Sequence, residues 1–222
     1  MRRETICNMV GFTMKLIAHR GYWLEPAEKN TAAAFERALS HGFGIETDFR
    51  DLNGTLVISH DVPVTGCLSA EILIDLLRDQ PAQSPMALNI KSDGLTTLME
   101  DFIQRSAVQD YFVFDMSVPD TRGYMAKQIP FFTRLSEYET APAFLMQSTG
   151  VWLDAFESEW YDMGVIDWLL AAEKQVAIVS PELHRRPHLA LWEMLRAHAL
   201  HQNPLVSLCT DHPLDAKDYF YA

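Results

Sequence analysis

The chain has 222 residues, 48% of them hydrophobic, enough to bury a sizeable core as one large domain or two small ones. A formal net charge of −12 argues against nucleic acid as the main partner, and Cys7, Cys67 and Cys209, odd in number and far apart, exclude a disulfide framework or a zinc ribbon. No apolar run reaches the roughly 18 residues of a membrane span, and residues 4–13 lack the apolar centre of a signal peptide, so a folded cytoplasmic protein is expected.

Residues 1–13 read as an N-terminal extension. After them, apolar runs rich in β-branched or aromatic residues alternate with stretches of helical pattern. "KLIAH" 15–19 reads as a strand, followed by a helix over 31–41; "GIETDF" 44–49 is followed by a helix over 69–79. "MALNI" 86–90, "YFVFD" 111–115 and "PFFTRL" 130–135 read as the next strands, with helices over 94–106, 119–128 and 137–147. "GVWLD" 150–154, "QVAIV" 175–179 and "PLVSL" 204–208 complete the set, with helices over 157–173, 187–202 and 213–220. Such alternation implies parallel strands joined by crossover helices. Eight βα units closing on themselves give an α/β fold, the (β/α)8 TIM barrel, and 222 residues lies near that fold's lower size limit of about 200. An open doubly wound sheet is the alternative, but no Gly-rich dinucleotide or P-loop signature follows a strand. No linker, low-complexity tract or repeat divides residues 14–222, which read as one domain.

The second strand has an unusual face. At a period of two, Glu46, Asp48 and Arg50 lie on one side and Ile45, Thr47 and Phe49 on the other. Asn53-Gly54 then signals a two-residue turn, so the strand should continue as a hairpin that returns through "TLVIS" and carries His60 and Asp61 over the barrel mouth. Functional groups of such barrels gather at strand C-termini. His19 and Arg20 end the first strand, Glu46 and Asp48 lie near the end of the second, and Asn89 and Lys91 end the third. Two carboxylates, two imidazoles and two cations in one mouth suit phosphate chemistry. Hard oxygens bind Mg²⁺ or Ca²⁺, cations neutralise phosphoryl oxygens, and paired histidines serve as base and acid.

"IAHRG" 17–21, "KNTAAAFERALSHG" 29–42, "IETDFRDLNGTLVISHD" 45–61 and "TDHP" 210–213 together resemble the glycerophosphodiester phosphodiesterases, in the wider group of phospholipase C-like phosphodiesterase barrels. The similarity is close over residues 15–61 and thins afterwards to strand-end positions. Carried over residue by residue, it implies that His19 and His60 are the acid/base pair and that Arg20 and Lys91 bind phosphate. It further implies that Glu46 and Asp48, with Asn89 as a third ligand, hold a divalent cation, Mg²⁺ or Ca²⁺. The implied activity is metal-dependent hydrolysis of a small phosphodiester, glycerophosphodiester-like or related, with a neighbouring substrate hydroxyl as a possible nucleophile and a cyclic phosphate as the product. Three positions depart from the family. Lys29 stands where a glutamate usually precedes Asn-Thr, Asn89 where an acid usually precedes the strand-three lysine, and only residues 62–85 replace a subdomain of several dozen. A more open site is expected. The alternative is a non-catalytic barrel that binds phosphate or phosphodiester, favoured by Asn89 and the missing subdomain and opposed by retention of both histidines.

Other residues admit plainer readings. Arg134, Glu137, Asp154 and Asp211 also fall at strand ends, where Asp211 could equally cap the last helix; Asp93 reads as an N-cap for the 94–106 helix. His198 and His201 suit a solvated helix face, and His184 to His188 in "HRRPH" a basic loop that could meet an anion. Trp152, Trp160, Trp168 and Trp192 read as packing, and Tyr22 and Trp23 as rim residues able to face a substrate head group.

Overall fold

Apolar runs with both faces covered form parallel strands, and the structure builds its wall from them. It is a computed structural model that describes residues 13–222 apart from Gln83; the expected extension over 1–13 lies outside the described residues but for Thr13. Strand β1 (Lys15–His19) leads to helix α1 (Ala32–Ser40), then β2 (Gly44–Leu52), β3 (Thr55–Ile58), β4 (Leu68–Ser69) and α2 (Glu71–Asp79). The chain continues with β5 (Met86–Ile90), α3 (Thr96–Ser106), β6 (Tyr111–Phe114), α4 (Val118–Ala126), β7 (Phe132–Leu135) and β8 (Gly150–Leu153). Last come α5 (Met163–Ala171), β9 (Gln175–Val179), α6 (Leu189–Ala197), β10 (Val206–Thr210) and α7 (Pro213–Tyr221).

Of the ten strands among the described residues, β3 and β4 form an antiparallel flap on β2, and the other eight make a parallel ring. β10 pairs with both β9 and β1, β1 with β2, β2 with β5, and β5 with β6. β7, β8 and β9 pair in turn, and the ring closes between β6 and β7 through the Val113–Phe131 bridge and the 3.0 Å bond from Val113 N–H to the Pro130 carbonyl. The fold is therefore the (β/α)8 barrel, and register brings His19 level with Glu46 and Asp48 level with Asn89.

Two apolar layers hold the ring. Inside it, Ile17, Ala87, Ala177, Val179 and Cys209 pack with four aromatic residues, Phe112 stacked on Phe132 at 3.6 Å and Phe114 on Trp152 at 4.1 Å. Gly150 makes room for this stack, because a Cβ there would meet the Phe132 ring at 2.5 Å. Outside, helix residues such as Phe35, Leu73, Phe102 and Ile166 cover Ile45, Phe49, Leu88 and Val151; each fully buried side chain of this size contributes roughly 1.5–3 kcal/mol.

The helix expected over 137–147 does not form. Pro142 lacks an N–H and pushes Ala141 out of helical conformation, so the connection from β7 to β8 is a series of turns in which Ser136 Oγ accepts from the N–H groups of Tyr138 and Glu139. The last strand starts two residues later than expected because Asn203 Oδ1 accepts from Leu205 N–H in a turn, which carries the strand to Thr210. Helix α5 begins at the Asp162 cap rather than at 157, and α6 ends at Ala197, before Ala199 adopts a left-handed φ of 55°.

Candidate active site

At the C-terminal ends of the strands lies a cavity of about 270 Å³ whose lining includes His19, Arg20, Glu46, Asp48, His60, Asn89 and Lys91. All seven residues singled out from the sequence thus share one mouth. The alternation along β2 explains the two acids: Ile45, Thr47 and Phe49 face the helices, while Glu46 and Asp48 point into the ring and are 2% and 1% exposed.

The "HRG" turn aims its arginine. Arg20 and Gly21 both take positive φ, 60° and 84°, and a Cβ on Gly21 would stand 2.8 Å from that of Ala34, so only glycine fits there. The turned Arg20 N–H donates to the Glu46 carbonyl at 2.9 Å, and the guanidinium Nε lies 3.3 Å from Asp48 Oδ2. Asn30, also at positive φ, donates from Nδ2 to the same Asp48 oxygen at 2.8 Å and accepts from Thr47 Oγ1. Lys91 Nζ lies 3.5 Å from both Asp48 Oδ1 and Asp115 Oδ2.

Histidine 19 is held from behind. Its Nδ1 lies 2.7 Å from Asp211 Oδ1, so Nδ1–H donates to the carboxylate and Nε2 is left facing the mouth, 3.9 Å from Glu46 Oε2. Burial raises the Asp211 pKa, but the His19 hydrogen bond, the His19 charge and Lys29 outweigh it and keep the group below its ordinary value. His60 reaches the mouth on the hairpin: Asn53 and Gly54 take positive φ, 54° and 78°, at the turn, and Arg50 Nε donates to the His60 carbonyl at 3.2 Å. Its ring lies at the open rim with Nδ1 2.8 Å from Asp61 Oδ1.

Glu46, Asp48 and Asn89 converge as an oxygen-rich set. Asn89 Nδ2 donates to Glu46 Oε1 at 3.1 Å, while Asn89 Oδ1 and Asp48 Oδ1 are buried and accept no hydrogen bond. Burial, followed by the Asp48 charge, pushes the Glu46 pKa up to about 7 against the opposing pull of His19, Lys91 and Asn89. Among the described residues, no three His, Cys, Asp or Glu side chains form a metal-binding group, so this set is two carboxylates and one amide.

The opposite wall is charged as well. Arg134 lies between Asp115 and Asp154, with Nη1 2.8 Å from Asp154 Oδ2, and His184 Nε2 is 2.7 Å from Asp154 Oδ1. Phe156 packs on the His184 ring at 4.8 Å and beside Arg134, and Phe114 and Trp152 line the cavity below. Strand-end position pointed to Arg134 and Asp154, and Asp211 joins His19 rather than capping α7. Asp115 closes the quoted run "YFVFD" and Asn30 sits in "KNT"; neither was singled out, because their partners are far away in sequence.

Several plainer readings need correction. Asp93 does not cap α3; it accepts from Ser117 Oγ, and Glu137 accepts from the Glu157 N–H outside the mouth. Trp168 is exposed rather than packed, whereas Trp152 packs in the barrel interior as expected and also forms part of the cavity lining. Tyr22 turns from the rim to pack edge-on against Phe43, whereas Trp23 donates to the His19 carbonyl.

No protein family matches the sequence, and no curated protein matches it. Solved structures do. A protein from Galdieria sulphuraria, provisionally assigned as a glycerophosphodiester phosphodiesterase, superposes with a TM-score of 0.74 at 14% identity, over 96% of this chain and 100% of its own. The glycerophosphodiester phosphodiesterase of Agrobacterium tumefaciens gives 0.66 at 18% identity, over 94% and 97%. A Ca²⁺-dependent phosphatidylinositol-specific phospholipase C from Streptomyces antibioticus gives 0.58 at 13%, over 93% and 96%. In fold, the chain is a barrel of the glycerophosphodiester phosphodiesterase and phosphatidylinositol-specific phospholipase C kind.

Proposed function

We propose that the protein is a metal-dependent phosphodiesterase acting on a small polar phosphodiester. The observation that carries this reading is the His19–Asp211 pair at 2.7 Å, standing beside a buried oxygen set flanked by Arg20 and Lys91. A divalent cation fits that set: Asp48 Oδ1 and Asn89 Oδ1 are buried without hydrogen-bond partners, and all the donors are hard oxygens. Glu46, Asp48 and Asn89 would hold it, and it would supply charge to polarise the phosphoryl group. Arg20 and Lys91, on either side of Asp48, hold the non-bridging oxygens. His19, with Nδ1–H fixed by Asp211, has its Nε2 lone pair free to take a proton from the nucleophile, a neighbouring substrate hydroxyl or water. His60 at the rim gives a proton to the departing alkoxide. The wall of Arg134, Asp154 and His184 offers donors and acceptors to a hydroxylated alcohol, consistent with the glycerophosphodiester and phosphatidylinositol named for the structural relatives.

The amide at position 89 favours a second reading, a phosphate-binding barrel without turnover. One assay separates the two. A panel of glycerol- and inositol-containing phosphodiesters is incubated with Mg²⁺, Ca²⁺ or chelator and followed by phosphorus NMR. Cation-dependent loss of diester, into cyclic phosphate or monoester, is expected; saturable binding with no product would leave the binding module.

A further inference from the structure

A second cavity, of about 480 Å³, adjoins the first between the loop after β1 and the loop joining β3 to β4. Arg20 and His60 line both, so a phosphoryl group held by Arg20 stands at the boundary between them. The second cavity, unlike the first, is also lined by Ile58, Leu68 and Lys29. Lys29 is fixed there: its Nζ lies 4.3 Å from the centroid of Trp23, whose indole N–H is anchored on the His19 carbonyl, and 3.4 Å from Asp211 Oδ2. The carboxylate that lines this cavity, Asp61, is 93% exposed and engaged with the His60 ring. Arg20 and Lys29 are paired with Asp48 and Asp211, but each of those carboxylates is shared, Asp48 with Lys91 and Asn30 and Asp211 with His19, so an anion entering the cavity can compete for both cations.

We propose that this second cavity receives the leaving alcohol of the phosphodiester, and that Lys29 selects alcohols bearing a second anionic group, a carboxylate or a phosphate monoester. The inference rests on the phosphodiesterase reading and deepens it. His60 stands where the two cavities meet, so the alcohol it protonates departs into the chamber that recognised it. Ile58 and Leu68 cover the carbon frame of that alcohol, and the ammonium of Lys29 meets its anionic group.

The test uses three glyceryl aryl phosphodiesters whose leaving phenols carry a para carboxylate, a para phosphonomethyl group or a neutral para carboxamide. With wild-type protein at low salt, kcat/KM is expected to be about five- to tenfold higher for each anionic aryl group than for the carboxamide, and the ratio to shrink towards one at high salt. A preference confined to one of the two anions identifies which source of charge is recognised. Lys29→Met is expected to erase the ratio and Lys29→Glu to invert it. A loss of rate shared equally by all three substrates, with the ratio kept, would assign Lys29 to holding Asp211 and overturn the proposal. The same compounds are titrated calorimetrically into the His19→Ala variant, where affinity is read without turnover. Equal affinities, or no binding, overturn the proposal; a preserved anionic preference with an inactive wild type upholds the cavity's specificity and removes the phosphodiesterase reading instead.

Discussion

Glu46 is the residue at which the chemistry of the mouth works against the stability of the fold. Its carboxyl is 2% exposed beside Asp48, and burial first, then that charge, raises its pKa to about 7 from an ordinary 4.5. A raised folded-state pKa means that the folded chain holds this proton more tightly than the unfolded one. The resulting stability is complete below about 4.5, is lost as the pH rises through about 7, and amounts to about 3 kcal/mol at most. In chelator, Glu46→Gln should therefore match wild type in denaturant unfolding at pH 5 and exceed it at pH 8 by about 1–3 kcal/mol, while losing divalent-cation binding in calorimetry. Equal stability at pH 8 would show that Glu46 is not strained in the cation-free protein. Asp211 makes the complementary case: in the proposed mechanism it orients the His19 imidazole, while its second oxygen lies 3.4 Å from Lys29 Nζ. Asp211→Asn keeps the shape of the side chain but removes the charge that fixes the Nδ1–H tautomer. It should lower kcat by about 10²–10⁴-fold with little change in KM, and shift the acidic limb of the pH–rate profile. An unchanged kcat would detach Asp211 from the mechanism.

Strands and turns set how far these side chains reach. The aromatic stack inside the barrel leaves no space at Gly150, where a Cβ would also come within 2.6 Å of the Gln175 carbonyl. Gly150→Ala should cost about 1–3 kcal/mol by overpacking and lower Tm by several degrees, measured by thermal melting; a neutral substitution would mean that the interior stack is loose. Strand β2 and its hairpin were legible in the sequence because a strict period of two and Asn53-Gly54 leave one arrangement of the chain, with His60 returned to the mouth. Strand β10 was misplaced by two residues because "PLVSL" is equally apolar in either register, and only the turn at Asn203 decides between them. The absent helix over 137–147 was foreshadowed by Pro142, whose effect outweighs the helical composition around it. Site residues divide in the same way. Glu46 and Asp48 declare themselves through local alternation and Asp154 through its strand-end position, whereas Asp115 and the partnership of Asp154 with Arg134 and His184 emerge only when the ring closes.

Over the whole molecule, an acidic chain concentrates several of its cations at one end of a closed barrel. Arg20, Lys29, Lys91 and Arg134 all lie there, each beside a carboxylate that keeps it placed before any anion arrives. The mouth is consequently a set of paired charges that a phosphodiester and a divalent cation can rearrange, and the acidic remainder of the surface disfavours larger polyanions. Closure of the ring makes that arrangement rigid, because each wall strand is hydrogen-bonded to its neighbours and the functional groups stand at strand ends. We propose that a His–Asp pair and an oxygen set on this barrel hydrolyse phosphodiesters. The most direct test is the turnover of a glycerol-containing phosphodiester by wild type, His19→Ala and His60→Ala, each confirmed folded by circular dichroism, with and without Mg²⁺ or Ca²⁺. Cation-dependent turnover is expected in wild type, with a loss of about 10²–10⁴-fold in each variant; turnover is the readout of the proposed hydrolysis. Turnover unchanged by chelator, or near wild-type rates in His19→Ala, would contradict it.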